Sequence, residues 1–500
     1  MKKCEISFFA LIAILLIFIP SCGGQSSNDD NEVSQIRYGF TTEPMTLDPL
    51  NPSNTADGRS ILFNVFEGLV KPDVNGALQP CAAKSWTIDE DSLVYNFILR
   101  ENVFFHDGTT VTAADLKFTL DIAIASGYHG LNNIRETIIQ NDNEITVKLK
   151  NPDPEFLPYL TVGIVKAANA DRERSIIGTG PYYIESYTPQ RNLVMRKHEK
   201  YWQENLPHLE KITIVFFANY DTLMVAFRGG SIDGANITGS MAAQLDSSSF
   251  DVITNRSAGV QLLALNNAAY PLNDINVRRA INYGINIQGI IDSAFFGMGT
   301  PSASPLIPGL SLYYDNSYIY PYNPDLARVL LSQSGFNETN PLSFVITVPS
   351  NYTMHVDTAQ VIVSQLEKIG VNAGIVLVDW PTWLSEVYFG QQYEATIITL
   401  DSPSVSPRGF LGRYHSANSG NFINFKNPAY DSVYEAASAE TDIQKRISLY
   451  KQAQRIITEN AASVYIQDIL FFIALRGGAY AGALDYPLYA IDFANIRRIE

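Results

Sequence analysis

The residues whose spacing could indicate catalysis or metal binding are scattered along this chain. The six histidines have neither the His-x-His nor the His-Glu-x-x-His spacing of a zinc site. The sequence has no Gly-x-Ser-x-Gly elbow for a nucleophilic serine and no Gly-x-x-x-x-Gly-Lys phosphate loop. Gly178-Thr179-Gly180 is an isolated glycine pair, which is typical of a tight turn. We therefore expect no catalysis, no metal and no cofactor, and we favour a protein that only binds.

Cys22 is the residue to which we assign a chemical modification. It follows two lysines and an apolar stretch that ends at Pro20, which is the pattern of a secretory signal peptide. The stretch is too short to span a bilayer comfortably. Residues 19–22 (IPSC) resemble a bacterial lipobox, whose cysteine becomes the first mature residue and carries several acyl chains. The sequence predicts a signal peptide over 1–21 and a flexible, lipid-anchored tether over 22–33. A plain secreted protein is the alternative.

Composition excludes several classes of protein. The 500 residues include 51 acidic and 35 basic side chains, a net charge of -16, so nucleic acid is not an expected partner. With 46% hydrophobic and 17% charged residues, the chain has the composition of a folded globular protein. Once Cys4 leaves with the signal peptide and Cys22 is acylated, Cys81 is the remaining thiol. We expect no internal disulfide, a buried Cys81 and a monomer.

Strand and helix patterns alternate along the mature chain and indicate a mixed α/β fold. The Thr112-x-x-Asp115 pair can satisfy the first amides of a helix. Five elements have clear signals: strands over 93–100, 144–150 and 371–378, and helices over 357–369 and 442–460.

A series of short segments, taken together and in order, resembles one known family. The segments are EPMTLDP (43–49), LFNVFEGL (62–69), AKSW (83–86), YNFILR (95–100), FHDG (105–108), VTAAD (111–115), GTGPY (178–182), YW (201–202), FRGGSID (227–233), LNN (265–267), VRRAI (277–281) and NPDLA (323–327). They are similar to segments of the extracytoplasmic solute-binding proteins of ABC importers, in the family that includes the oligopeptide, dipeptide and nickel binders. The resemblance covers about residues 36–500.

This resemblance implies a bilobed periplasmic-binding-protein fold with an extra domain, in which two mixed-sheet lobes are joined by a hinge and close on a ligand. The implied divisions are a first lobe of 34–67, 178–266 and 480–500, an extra domain of 68–177, and a second lobe of 267–479.

Peptide binders of this family hold the peptide backbone as an added strand. By position in the matching segments, the residues implied to line the cleft are Glu43, Met45, Asn236, Asn266, Trp380, Thr399, Leu400 and Asp401. Each of them has an ordinary structural alternative, such as a core position for Trp380 or a turn cap for Asn236.

One feature of the family's peptide binders is missing from the sequence. These proteins anchor the free ammonium of the peptide with a buried aspartate, since an unpaired buried cation would be costly. An ungapped match from Tyr393 to Phe410 places Pro403 at that position. Asp401 lies two residues earlier and can serve if the loop shifts.

The resemblance implies a lipid-anchored receptor that faces the periplasm or the cell exterior and delivers a solute, most simply a peptide, to the permease subunits of an ABC transporter. Three alternatives remain open. The same fold can bind an oligosaccharide or a metal chelate, the lipoprotein can serve as an adhesin or signalling receptor, or a pair of carboxylates distant in sequence can form a surface hydrolase.

Overall fold

The computed structural model describes residues 34–51, 56–74, 77–128, 130–167, 169, 175–255, 259–402, 406–486 and 490–499. Cys22 and Pro403 lie outside these residues. The described part of 34–500 forms one packed unit, and no helix in it is long and apolar enough to cross a membrane.

Strands and helices alternate through most of the chain. The strands are β1 (Gln35–Phe40), β2 (Val70–Pro72), β3 (Leu78–Pro80), β4 (Ala83–Ile88), β5 (Val94–Leu99), β6 (Ile134–Asn141), β7 (Glu144–Leu149), β8 (Tyr182–Thr188), β9 (Asn192–Lys197), β10 (Lys211–Phe216), β11 (Gly234–Thr238), β12 (Phe250–Asn255), β13 (Gly259–Leu265), β14 (Thr300–Pro301), β15 (Leu342–Pro349), β16 (Val371–Val378), β17 (Ala395–Asp401), β18 (Ser463–Asp468), β19 (Phe471–Arg476), β20 (Tyr480–Ala481), β21 (Leu484–Tyr486), β22 (Ala490–Asp492) and β23 (Arg497–Arg498). The α-helices are α1 (Ala56–Phe63), α2 (Ala113–Ala125), α3 (Tyr220–Arg228), α4 (Gly239–Ala242), α5 (Ile275–Gly284), α6 (Ile287–Phe295), α7 (Pro324–Gln333), α8 (Thr353–Glu367), α9 (Trp380–Thr382), α10 (Pro407–Leu411), α11 (Pro428–Ala439) and α12 (Ile443–Glu459).

The sheet of the first lobe has the strand order β12-β19-β11-β1-β10-β9-β8. Strand β1 runs parallel to both β10 and β11. Its side chains alternate, and Ile36, Tyr38 and Phe40 are buried in the core of this lobe. Helix α3 connects β10 to β11, so these strands and their helix form a β-α-β unit.

The sheet of the second lobe has the order β14-β18-β13-β17-β15-β16. Strand β15 runs parallel to β16 and β17, and helix α8 connects β15 to β16. One face of the sheet packs against helices α5 to α8, and the other packs against α10 to α12. Because both faces are buried, β13 is apolar at nearly every position.

The extra domain contains the sheet β4-β5-β7-β6 and helix α2. Its hydrophobic core is continuous with that of the first lobe, since Tyr95 and Phe97 belong to the same cluster as Tyr38. Its contact with the second lobe is polar. Asp153 pairs with Arg408 at 2.6 Å, and both belong to a buried network.

The chain passes from the first sheet to the second between Asn255 and Gly259, and it returns between Asp468 and Phe471. Strand β13 therefore lies in the second lobe, whereas the predicted division assigns it to the first lobe up to residue 266. The hydrogen-bonding partners of β13 are β17 and β18, and such long-range pairings are not visible in a local sequence pattern.

Candidate ligand-binding cleft

The first lobe presents polar side chains at the carboxyl ends of its parallel strands. Thr42 and Glu43 follow β1, Tyr220 follows β10, and Asn236 lies in β11. Parallel strands end at a common edge of a sheet, and in open α/β sheets ligands bind outside that edge. This edge is the first wall of a candidate cleft.

The second lobe presents a matching edge. Tyr352 follows β15, Trp380 follows β16, and Asp401 is the last residue of β17. The Trp380 ring stacks on Trp383, with centroids 5.0 Å apart and planes 6° from parallel, and it meets Tyr352 edge-on at 5.5 Å. These aromatic rings form an apolar wall beside the Asp401 carboxylate.

The two edges meet through an ion pair. Arg59 of α1 donates from Nη2 to Asp401 Oδ2 at 3.4 Å. Helix α1 belongs to the first lobe, because Asn64 near its end donates to Ile491 O at 2.8 Å and accepts from Phe493 N at 2.9 Å. The pair therefore spans the cleft.

A second arginine lies on the other side of Asp401. Arg413 Nη2 is 3.9 Å from Asp401 Oδ1, and both residues line a narrow recess with the buried side chain of Leu400. Asp401 thus lies between Arg59 of one lobe and Arg413 of its own. A ligand ammonium that reaches Asp401 has to compete with two guanidinium groups.

A second carboxylate lies on the first-lobe side. Asp57 Oδ2 accepts hydrogen bonds from Thr42 N, at 3.2 Å, and from the Thr42 hydroxyl. Burial raises the pKa of Asp57 to about 6, although the Thr42 bonds and the charge of Arg59 act in the opposite direction.

Two tyrosines line the same region. Burial, followed by the charge of Asp57, raises the pKa of Tyr220 to about 12. The pKa of Tyr352 is raised by burial and also by the charge of Asp401. Tyr352, from the opposite lobe, also raises the pKa of Tyr220.

The predicted first-lobe residues lie at this edge with protein partners. Glu43 accepts from Tyr187 OH at 3.4 Å and from the backbone amide of Gln190. Met45 is 71% exposed. Asn236 Oδ1 accepts from Tyr38 OH at 2.6 Å, which leaves its amide nitrogen for other contacts.

Asn266 is the predicted residue that the structure does not bring to the cleft. It follows β13 at the end where Leu265 pairs with Ala395, whereas Gly259 pairs with Asp401 at the other end. Six residues of strand separate the two ends by about 20 Å. The Asn266 side chain binds Gln391 O at 3.2 Å and Tyr393 O at 2.8 Å, and it also holds Ala268 N and the Asn424 amide.

Thr399 and Leu400 lie on β17 with Asp401 and face opposite sides of the sheet. Leu400 is 8% exposed and packs in the apolar core beside α10. The Thr399 hydroxyl is buried and has no hydrogen-bond partner among the described residues. The backbone of this segment is a better candidate for ligand contact than either side chain.

The sequence analysis missed six polar or charged residues of the candidate cleft, namely Thr42, Asp57, Arg59, Tyr220, Tyr352 and Arg413. The signal that could have identified three of them is their position, because Thr42, Tyr220 and Tyr352 each follow a strand that runs parallel to a neighbouring strand. Arg59 and Asp57 lie on a short helix with no such signal. Their role is visible only after the lobes are assembled.

A larger recess of about 550 Å³ lies elsewhere and is lined by charged residues of the extra domain and of β8 and β9. It includes Glu210, which precedes β10, so it lies at the edge of the sheet opposite the cleft. Its charges are largely paired internally, as in Lys197 with Glu210 and Arg196 with Glu185, both at 3.1 Å. No group of three or more His, Cys, Asp or Glu that could hold a metal ion occurs in the described residues.

Comparison with known proteins agrees with this architecture. The family model "Bacterial extracellular solute-binding proteins, family 5 Middle" matches residues 77–422. The chain is 28% identical over 441 residues to the glutathione-binding protein GsiB of Salmonella typhimurium, covering 82% of this chain and 84% of that protein. It is 23% identical over 512 residues to the oligopeptide-binding protein OppA of Bacillus subtilis, with coverage of 92% and 93%.

The fold is also that of solved structures. The ABC transporter substrate-binding protein CtaP of Listeria monocytogenes matches with a TM-score of 0.85 at 21% identity, covering 94% of this chain and 100% of that one. The predicted bilobed fold and the predicted family are confirmed. Because the family model covers more than half of the chain, this protein belongs to family 5 of the bacterial extracellular solute-binding proteins, whose members bind solutes outside the cytoplasm.

Proposed function

We propose that this chain is a lipid-anchored receptor that captures a peptide between its two lobes and delivers it to an ABC permease. The observation that carries the peptide assignment is the edge of β17 beyond Thr396, which pairs with no strand on the β15 side among the described residues. Strand β15 pairs with β17 at Ala395 and Thr396 and with none of its later residues. On its other side, β17 stays paired with β13 as far as Asp401.

An open strand edge offers backbone groups to an extended ligand. Alternate residues of an antiparallel strand point their N–H and C=O groups to opposite sides, so part of 397–401 points away from β13. A peptide laid along this edge gains main-chain hydrogen bonds without any reading of its side chains. Sugars lack the repeating amide pattern that matches such an edge.

The relatives support the same class of ligand. GsiB is named for glutathione and OppA for oligopeptides, and both align over most of their length. The charged groups at the cleft, Asp57, Arg59, Asp401 and Arg413, suit a ligand that carries both an amine and a carboxylate.

Binding of defined probes tests this assignment. We expect glutathione or a tri- to pentapeptide pool to raise the melting temperature of the purified protein, as any ligand specific for the folded state does. Maltotriose and a nickel–histidine complex serve as the contrasting probes. Stabilisation by either of these, with none by the peptides, would overturn the peptide assignment and favour another branch of the family.

Anchoring through Cys22 is part of the proposal and has its own test. The Cys22→Ala variant should move from the membrane fraction to the soluble fraction, because acyl chains on this residue supply the membrane affinity. Cys81→Ala is the matched control, since Cys81 is a buried free thiol within the folded unit, as predicted. Continued membrane association of Cys22→Ala would contradict anchoring at this residue.

A further inference from the structure

The second chain crossing between the lobes is short, and a paired residue from each lobe flanks it. Strand β18 of the second lobe ends at Asp468, and strand β19 of the first lobe begins at Phe471. Thr300 of β14 pairs with Asp468 on the second-lobe side, and Thr238 of β11 pairs with Phe471 on the first-lobe side. Hinge motions are absorbed at a few such residues between elements. Residues next to Thr300 and Thr238 therefore lie beside a pivot of the two lobes.

Met298 and Gly239 meet beside this crossing. Met298 lies two positions before β14, in the loop that follows α6, and Gly239 directly follows β11 as the first residue of α4. A Cβ atom placed on Gly239 would lie 3.0 Å from Met298 Cβ and 3.5 Å from Met298 Sδ. Met298 packs against the hydrophobic cluster that contains Phe472, and the other described members of that cluster belong to the first lobe or to the crossing. Met298 thus joins a core of the first lobe from the second lobe.

The backbone does not require a glycine at position 239. Its φ is not among the positive values of the described glycines, so the conformation accepts any residue. A helix is generally more stable with alanine than with glycine. Gly239 is buried, and the atom that a side chain there would meet first is Met298 Cβ. The contact between the lobes is what requires the missing side chain.

The chain around Met298 is held from behind. Phe296 and Gly297 both have positive φ, 56° and 75°, and this turn directs the chain from α6 toward β14. On the other side of Met298, a Cβ atom placed on Gly299 would overlap Gln467 Oε1 of β18. The segment therefore lies directly against the second-lobe sheet and cannot retreat when Gly239 approaches.

We propose that Met298, seated on Gly239, is the stop that sets how far the two lobes close. This inference rests on the proposed capture of a ligand between the lobes and specifies what fixes the closed arrangement. A contact beside the pivot controls the angle between the lobes, and a small added thickness there is amplified at the cleft edges. The unbranched, polarizable methionine side chain suits such a seat, because it fills irregular gaps. Met298 is thus a positioning residue for the walls of the cleft.

Cross-linking across the cleft tests the stop without any ligand. The protein is residues 26–500, which contain the whole packed unit, with Arg59→Cys and Asp401→Cys introduced. Cys81 is the remaining thiol of this chain and is buried. A short bis-maleimide joins the two new cysteines when the cleft is closed, because Arg59 and Asp401 approach to 3.4 Å in this arrangement. The cross-link yield therefore reports the closed fraction.

Gly239→Val should lower this yield about fivefold or more, since it props the lobes apart. Met298 Cβ is fixed to the backbone and cannot swing aside as the end of a flexible side chain would. Gly374→Val is the matched control, because a Cβ atom there meets nothing within 4 Å. Adding Met298→Gly to Gly239→Val should restore the yield to within about twofold of that of Met298→Gly alone. Such a recovery is not expected of a variant that merely folds poorly.

Peptide binding provides the second readout, in a chain that keeps Arg59 and Asp401. Gly239→Val should weaken binding of the tri- to pentapeptide pool about fivefold or more, because only molecules that can close bind tightly. Gly374→Val should bind the pool like the wild type.

A yield that falls in Gly239→Val and recovers with Met298→Gly supports the stop. A yield equal to that of Gly374→Val would overturn it, and so would a fall that Met298→Gly does not reverse. Unchanged peptide affinity in Gly239→Val would overturn the link between the stop and the ligand. Absence of peptide binding in the wild type, with the cross-linking pattern intact, would overturn the proposed peptide function and leave the stop supported.

Discussion

Arg59 and Asp401 are 342 positions apart in sequence, yet Arg59 Nη2 lies 3.4 Å from Asp401 Oδ2 and joins the two lobes across the cleft. Both side chains are about half exposed, at 44% and 41%. An ion pair of this kind contributes only about 0.2 to 1 kcal/mol. It biases the lobes toward closure without locking them.

Removing this pair should open the unliganded protein. We expect Arg59→Gln to shift the open–closed equilibrium by up to about fivefold, the equivalent of about 1 kcal/mol. Small-angle scattering would detect this as a larger radius of gyration without ligand and an unchanged radius with peptide. Arg228→Gln, a charge change on α3 within the first lobe, is the control. An unchanged unliganded radius would contradict a role in closure.

Asp57 should reduce stability at neutral pH. Its pKa in the folded chain, about 6, lies above the ordinary value near 4, so the folded state binds the proton more tightly than the unfolded state. The destabilisation of the folded state by ionised Asp57 is therefore absent below pH 4 and fully present above pH 6. Asp57→Asn should raise the free energy of unfolding at pH 7.5 by on the order of 1 kcal/mol, after allowance for partial solvent screening.

Urea unfolding at two pH values checks this prediction. At pH 4 the wild type and Asp57→Asn should be equally stable to within about 0.5 kcal/mol, because Asp57 is then protonated in the folded state and about half protonated in the unfolded state. A variant that is less stable than the wild type at pH 7.5 would show that the Thr42 bonds outweigh the desolvation.

Asn266 should matter for stability and not for binding. It is 4% exposed and uses its amide to hold the segments around Tyr393 and Asn424. Asn266→Ala should lower the free energy of unfolding by about 1 to 3 kcal/mol, because buried backbone groups lose their partners. Peptide affinity should stay within about twofold, since the residue lies some 20 Å along β13 from Asp401. Asn372→Ala, at an exposed position of β16, is the control for the substitution itself.

A strong loss of peptide affinity in correctly folded Asn266→Ala would contradict this account. It would return the residue to the ligand site that the sequence predicts for it.

The polar contact between the extra domain and the second lobe should be sensitive to single substitutions. Asp153 and Arg408 pair at 2.6 Å, with side-chain exposures of only 5% and 20%. Nearby, Glu155 accepts from Ser406 at 2.8 Å and from Tyr450 at 3.0 Å, and burial raises its pKa. Arg408→Met should cost about 3 to 5 kcal/mol, because it leaves the Asp153 charge buried and unpaired.

Adding Asp153→Asn to Arg408→Met should recover part of that loss, since no uncompensated charge then remains. Chemical denaturation of the single and double variants measures the coupling. Additive losses in the double variant would show that the two residues do not act as a pair.

Local signals predicted six elements of the fold, namely α2, α8, α12, β5, β7 and β16. The pair Thr112 and Asp115 starts α2 as expected, with Thr112 N donating to the carboxylate at 3.0 Å. Asp442 caps α12, and strands β5, β7 and β16 lie within or at the predicted segments. Helix α8 begins at Thr353, four residues before the predicted start. The sequence did not reveal this start, because Tyr352 at the N-cap makes no side-chain capping bond.

The residues that line the cleft were harder to predict from the sequence. The resemblance directed attention to Asp401 and Trp380, which lie at the edge of the second-lobe sheet together with Tyr352. Asp57 and Arg59 acquire their roles from partners in distant segments, and no local pattern encodes such pairings. The amine-anchor position at Pro403 and the anchor at Cys22 lie outside the described residues, so both stay predictions.

Native mass spectrometry of residues 26–500, purified without refolding, tests the central claim most directly. Denaturation releases any small molecule that was carried through purification, and its mass identifies the class of ligand. We predict a ladder of peptide masses, because an open strand edge binds backbones of many sequences. Release of an oligosaccharide or a metal chelate instead of peptides would contradict the account.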